Sequence, residues 1–226
     1  MQTILGGSKA LPSTQDTGMP DPKPSVLVVD DDPDFRDSVA RLLRSVDLET
    51  RNFSSVADFL KSKLPDGPTC LVLDVRLPGQ SGFELQRELT AANRPLPIIF
   101  ITAHADIPMT VQAMKGGAIE FLTKPFRDQE LLDAVEAGIA RDRVRRERDK
   151  ALGALKERFE TLSSREREIM FQVTAGRLNK QIAGDLGIAE STVKVHRTNL
   201  MRKMKARSVP ELSRMADVLK PMAEKP

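Results

Sequence analysis

Residues 71–82 read LVLDVRLPGQSG, from Leu71 to Gly82. With Cys70 ahead of it, the run Leu71, Val72, Leu73 is apolar at every position, the pattern of a strand buried on both faces. It ends on Asp74, and the turn residues Pro78, Gly79 and Gly82 follow. Asp74 therefore belongs at the carboxyl end of an inner strand. In an open α/β sheet this is the rim where loops diverge and leave a crevice for ligands. An aspartate at a strand end also serves as a turn or helix cap, so its meaning depends on what else reaches the same rim.

Outward from this stretch the chain alternates. Val26–Val29 is an apolar run closed by Asp30, Asp31 and Asp32, and Pro33 suits the first turn of a helix with Phe35, Val39, Leu42, Leu43 and Val46 on its apolar face. A strand over Glu49–Phe53 leads to a helix capped by Ser54 or Ser55 and running to about Lys63. After the Asp74 strand come a helix capped by Ser81, a strand over Pro97–Thr102, a helix over Pro108–Lys115 and a strand over Ala118–Thr123. A last helix begins near Arg127 and carries Leu131, Leu132 and Val135. Five strands alternating with five helices predict a five-stranded, doubly wound parallel sheet of the α/β class.

Right-handed crossovers bring all the strand ends to one edge. Asp30 and Asp31, Asp74, Thr102 and Lys124 then converge, although Asp30 and Lys124 stand 94 positions apart. Of the acidic triplet, Asp32 precedes Pro33 and is assigned to the helix cap. Three carboxylates in one crevice repel one another and draw in a hard divalent cation, typically Mg²⁺. Beside such a cation an Asp74 oxygen can attack phosphorus, while Lys124 and the Thr102 hydroxyl hold the other phosphoryl oxygens. Singly, Thr102 is also an ordinary strand-end hydroxyl, Lys124 a solvated charge and Phe121 a core aromatic.

The phrases VVDD, LVLDVRLPGQSG, FITAHAD and EFLTKPF, in that order, resemble the response-regulator receiver family over residues 25 to about 138. IPMTVQAMKGGA and LPGQSG are most similar to regulators of the nitrogen-fixation and aromatic-catabolism type. The resemblance implies a flavodoxin-like receiver in which Asp74 is the phosphoacceptor and Asp30, Asp31, Asp74 and the Arg76 carbonyl hold Mg²⁺, with Asp31 a direct ligand. It further implies that Thr102 and Phe121 form the switch pair, that Lys124 pairs with the phosphoryl group, and that the bond before Pro125 is cis. In the family, phosphoryl lifetime is set two residues after the phosphoacceptor and two after the switch threonine. Here these are Arg76 and His104, which carry no acid or amide to orient water, so slow self-hydrolysis is expected.

Charge divides the chain of 226 residues. Residues 25–140 carry a formal net charge of −6, residues 141–160 of +3 and residues 161–226 of +6, so the small total of +3 conceals an acidic front and a basic back. A basic end suggests nucleic acid as a partner. Apolar content of 40% suffices for a core in each of two domains. There is no run of 18 apolar residues to cross a membrane and no secretory signal pattern, and the single cysteine, Cys70, fits a reducing cytoplasm. Residues 1–24, rich in Gly, Pro, Ser and Thr, are expected to be a disordered leader. Residues 139–160 are expected to form a helical linker, with opposite charges at Arg143 and Glu147 and at Arg145 and Asp149. Leu152, Leu155, Phe159 and Leu162 make an apolar seam that either pairs with a second chain or packs on its own C-terminal domain.

Residues 161–226 carry four helix signals. Leu162 with Ser163 or Ser164 caps a helix over about Glu166–Ala175, ended by Gly176. Asn179–Leu186 is the second, closed by Gly187, the third runs from Glu190 or Ser191 to about Lys205, and Val209–Leu219 is the fourth. A short helix, a tight glycine turn and a longer basic helix predict a helix-turn-helix. LSSREREIM and NKQIAGDLGIAESTVKVHRTNLMRKM resemble the all-α, four-helix output domain of the quorum-sensing and nitrate-response (LuxR-type) regulators. At about 100° per residue, Val193, Leu200 and Met204 turn inward, with His196 at the border. Lys194, Val195, Thr198, Asn199, Arg202 and Lys205 turn outward to a major groove, and Lys180, Thr192 and Arg197 are further phosphate candidates.

Together these readings predict a cytoplasmic two-component transcription regulator rather than an enzyme. Its expected partners are a sensor histidine kinase, double-stranded DNA at paired promoter half-sites, RNA polymerase and, once phosphorylated, a second copy of itself. Two rivals stand beside this reading. An aspartyl-nucleophile phosphohydrolase usually carries a second Asp two residues after the first, where this chain has Arg76. A receiver that only dimerises would not require the full set of rim residues.

Overall fold

The computed structural model describes residues 22–223, so most of the expected leader lies outside the described residues. The first compact unit carries β1 (Ser25–Val29), α1 (Pro33–Arg44), β2 (Glu49–Phe53), α2 (Val56–Lys61), β3 (Thr69–Asp74), α3 (Gly82–Ala91), β4 (Ile98–Thr102), α4 (Ile107–Lys115), β5 (Glu120–Thr123) and the first part of α5 (Asp128–Glu160). All strand pairs are parallel, in the order β2-β1-β3-β4-β5. This order reverses direction between β1 and β3, and the crevice of such a sheet opens at that reversal. Asp30 and Asp74 flank it.

Alternation along the inner strands divides the core into two layers. Leu27, Val29, Leu71, Leu73 and Phe100 pack against Phe59, Leu85, Leu89 and Ala113 of α2, α3 and α4. On the opposite face Val26, Val28, Cys70, Val72, Ile99 and Ile101 meet Val39 and Leu43 of α1 and Leu131 and Val135 of α5. Each such side chain taken fully out of water contributes about 1.5–3 kcal/mol, which fixes the strands' faces and hence their register.

Local chemistry sets the helix starts. Asp32 caps α1 by accepting the N–H groups of Asp34 and Phe35, as expected, and Ser81 forms a capping box with Glu84 at α3. Several boundaries differ from expectation. α1 stops at Arg44, and Val46, expected on its apolar face, is 46% exposed, because Asp47 takes a left-handed φ of 60° and turns the chain toward β2. α2 ends at Lys61 rather than Lys63, and β5 begins at Glu120, two residues later than its apolar run.

The second unit holds α6 (Ser164–Thr174), α7 (Asn179–Leu186), α8 (Glu190–Met204) and α9 (Val209–Ala223) around Ile169, Met170, Ile182, Val193, Leu200, Met204, Leu212 and Ala216. α5 is one continuous helix of 33 residues with Arg145 paired to Asp149 at 3.0 Å. Leu155 and Phe159 pack on the C-terminal core that contains Leu162, which gives the apolar seam a partner within its own chain. α8 starts at Glu190, one of the two expected first residues, after Ala189, which provides no side-chain cap.

Within the residues expected to form the linker, α5 is still pinned to the sheet by a buried carboxylate. Asp142 is fully buried and accepts the backbone N–H of Thr69, at the start of β3, at 2.9 Å. Gly138 lies beside it, where a Cβ would stand 2.5 Å from the Cys70 sulfur. D142A leaves the Thr69 N–H without this acceptor and is expected to lower the stability of the first unit by about 1–3 kcal/mol in urea unfolding, with D142N losing less.

Candidate functional site

The rim residues meet as the topology requires. Lys124 Nζ, just beyond β5, lies 2.6 Å from Asp30 Oδ2 and 2.8 Å from Asp74 Oδ2, bridging the ends of β1 and β3. Asp30 is fully buried, Asp74 nearly so, and Asp31 is exposed, yet oxygens of all three lie within 4.8 Å of one another. Burial pushes the Asp30 carboxyl above the usual carboxylate range, opposed by Lys124 and the Asp32 N–H and assisted by the neighbouring Asp74 charge. Burial alone would lower Lys124, but its hydrogen bonds to Asp30 and Asp74 outweigh that and hold the ammonium above its ordinary value. With all four groups ionised, three carboxylates face one ammonium, leaving two negative charges on hard oxygen donors. That donor set fits a divalent cation of the Mg²⁺ kind.

Backbone contacts hold these carboxylates. Asp30 Oδ1 accepts the Asp32 N–H at 3.0 Å, and Asp74 Oδ1 accepts the Arg76 N–H at 2.8 Å. The loop after Asp74 returns so closely that a Cβ at Gly82 would collide with the Asp74 carbonyl oxygen. The Arg76 side chain points to solvent. Thr102 sits at the rim fully buried, and its hydroxyl is engaged with the backbone N–H and carbonyl of His104, both at 3.3 Å, rather than with Asp74. Phe121 is half-buried with its ring 6.3 Å from that of Phe100. The Lys124–Pro125 bond is cis. Sequence reading missed Arg36, whose guanidinium donates to the Asp30 carbonyl at 2.5 Å. Its place in the second turn of α1, after the acidic triplet, is the only signal it left.

In the second unit α8 has a buried and an exposed face. Val193, Leu200 and Met204 are fully buried, His196 is half-buried, and Lys194, Val195, Thr198, Arg202 and Lys205 are exposed, Val195 at 60%. Thr192 and Lys180 are exposed as well. Lys194 rests 3.5 Å from Glu190, and the Thr198 hydroxyl bonds back to the Lys194 carbonyl. Two cations brace the helix from within. Arg197 is half-buried and donates to Asn179 Oδ1 at 2.5 Å, tying α8 to the start of α7. Lys203, absent from the sequence-based set, reaches the buried Glu166 at 2.6 Å and the Thr161 carbonyl at 3.0 Å. Asn199 is half-buried and accepts weakly from Arg202 at 3.4 Å. Exposed apolar and cationic side chains on one helix face, with a rigid rear, suit a nucleic-acid groove.

Comparison with known proteins gives the same division. Residues 26–136 match the response regulator receiver domain, and residues 160–216 match the bacterial regulatory proteins of the luxR family. Over 197 residues, 87% of each chain, the sequence is 56% identical to nodulation protein W of Bradyrhizobium diazoefficiens. It is 44% identical over 199 residues, 88% of each chain, to the response regulator protein TodT of Pseudomonas putida. The solved structure of response regulator StyR superposes with a TM-score of 0.79 at 50% identity, covering 86% of this chain and 98% of that one.

Burial alone would raise the Glu166 carboxyl, but the Lys203 ammonium and the Ser163 N–H and hydroxyl together hold it below its usual range. K203M is therefore expected to lower the stability of the second unit by about 1–3 kcal/mol at neutral pH, read by calorimetry. A depressed carboxylate stabilises fully above its unfolded value of 4.5 and ceases to as pH falls through the lower folded value. The gap between wild type and K203M is expected to close only below that point.

Proposed function

The chain belongs to the response-regulator family that joins a receiver domain to a LuxR-type DNA-binding domain, and from that premise we propose that Asp74 is its phosphoacceptor. The observation that carries this is the single ammonium of Lys124 held between Asp30 and Asp74, with the Asp31 carboxylate within reach. A sensor histidine kinase supplies the phosphoryl group: an Asp74 oxygen bonds to phosphorus as the bond to the donor nitrogen breaks. Asp30, Asp31, Asp74 and the Arg76 carbonyl would hold Mg²⁺, which when bound offsets negative charge on the transferring group. Lys124 then turns one N–H from Asp74 to a phosphoryl oxygen, and the Thr102 hydroxyl leaves His104 to donate to another. The half-buried Phe121 moves with it as the other member of the switch pair.

The receiver is assigned residues 25–138, the helical linker 139–160 and the DNA-binding domain 161–226. In the cytoplasm, phosphorylation favours a homodimer whose two α8 helices enter the major groove of double-stranded DNA at paired promoter half-sites. There the protein acts on RNA polymerase. Lys194 donates to guanine, Val195 and Thr198 touch thymine methyls, and Lys180, Thr192, Asn199, Arg202 and Lys205 reach the backbone. Arg197, engaged by Asn179, contacts phosphate only at the edge of this face or braces the helix that does.

With Mg²⁺ and acetyl phosphate, wild type is expected to gain the mass of one phosphate and D74N none; equal labelling of D74N refutes the assignment. With Arg76 and His104 both exposed and lacking an acid or amide, the aspartyl phosphate is expected to decay over many minutes, and a lifetime of seconds contradicts this. K194E is expected to abolish specific binding in footprinting on a target promoter while leaving phosphorylation intact.

A further inference from the structure

Lys124 has a third neighbour that no reading of the acidic rim requires. Its ammonium lies 3.9 Å from the centroid of the Phe35 ring, over the ring face. Phe35 is the third residue of α1, and its backbone N–H is fixed by the Asp32 cap at 3.2 Å, so the third member of the acidic triplet determines where the ring stands. Phe126 backs it edge-to-face, with centroids 6.0 Å apart and planes at 88°. Phe35, Lys124, Pro125 and Phe126 share one groove between α1 and α5.

We propose that Phe35 is a positioning residue of the phosphorylation centre, acting through Lys124. The inference rests on the reading of Asp74 as phosphoacceptor. An ammonium has three N–H donors, and two are spent on Asp30 and Asp74. A polar neighbour would compete for them. A ring face attracts the charge through its quadrupole without offering a lone pair, so it leaves both carboxylate bonds intact. Its attraction is also broad across the face, which lets the ammonium exchange a carboxylate oxygen for a phosphoryl oxygen while staying over the ring. An aliphatic side chain of similar size would cover the site but not hold the cation. With only 18% of the Lys124 side chain exposed, little water screens the contact.

The test uses the full-length chain with Phe35 replaced by mono-, di- and trifluorinated phenylalanine, which keep the ring's shape and drain its negative face stepwise, and with F35L. One readout is the exchange of the Lys124 ammonium protons with water, followed by nitrogen NMR on metal-free protein. The other is the rate of Asp74 phosphorylation by acetyl phosphate with Mg²⁺. Exchange is expected to quicken and phosphorylation to slow with each fluorine, reaching about threefold to tenfold in the trifluoro form and F35L. Rates that stay flat across the fluorinated series overturn the proposal. So does a loss seen with a histidine kinase donor but not with acetyl phosphate, since Phe35 would then be a docking surface. If wild type takes no phosphoryl group at all, the phosphoacceptor reading is what fails, and the ammonium exchange series alone decides the part played by Phe35.

Discussion

One ammonium shared between the carboxylates of two strands is the constraint on which the receiver half is built. Asp30 and Asp74 end adjacent strands, β1 and β3, and both are nearly removed from water. Two such charges side by side are tolerated only with a cation between them. β5 stands two strands from β3 in the sheet, roughly 10 Å away at the usual strand spacing. Only a long side chain crosses that distance over the end of β4, and Lys124 is that side chain. Its own burial opposes its charge, and the hydrogen bonds to the two acids outweigh that burial.

The same economy of cations recurs in the second unit, with a different purpose. A solvent-exposed ion pair contributes little. Arg197 and Lys203, in contrast, each spend their charge on a partner from another helix, and one of those partners, Glu166, is also locked into the capping box of α6. These contacts tie α8 to α7 and α6 beside its apolar packing. On α8 and its C-cap the cations that remain exposed are Lys194, Arg202 and Lys205.

Most of this fold was legible in the sequence because period and punctuation agreed. The apolar runs ending in Asp30, Asp74 and Thr102 marked inner strands, and Asp32, Ser81 and Gly187 marked helix ends. The convergence of Asp30, Asp74 and Lys124 followed from crossover handedness alone. What stayed hidden was partnership across helices. An angular reading places Arg197 and Lys203 on a face but says nothing of Asn179 or Glu166 opposite them, since such contacts depend on how helices pack and not on local pattern. Phe35 was legible as an apolar helix residue, yet its ring serves a cation rather than the core layer alone. Val46 was misplaced because a left-handed Asp47 carries no strong sequence mark.

The arrangement also determines where a new charge can act. A phosphoryl group on Asp74 adds up to about two negative charges to a rim whose one ammonium is already divided between two acids. At the same rim the Thr102 hydroxyl is held by two hydrogen bonds of 3.3 Å to His104, long for hydroxyl contacts and correspondingly weak. The segment that would follow its release is lightly anchored. α4 buries only Ala113 fully, and Ile107, Val111 and Met114 stand 80%, 44% and 44% exposed. On the proposed reading, charge enters at the buried strand ends and is relieved at a helix that buries one small residue fully and packs by Met109 and the Gln86–Ala113 hydrogen bond. On that reading the response is expressed at α4 and β5 rather than across the core.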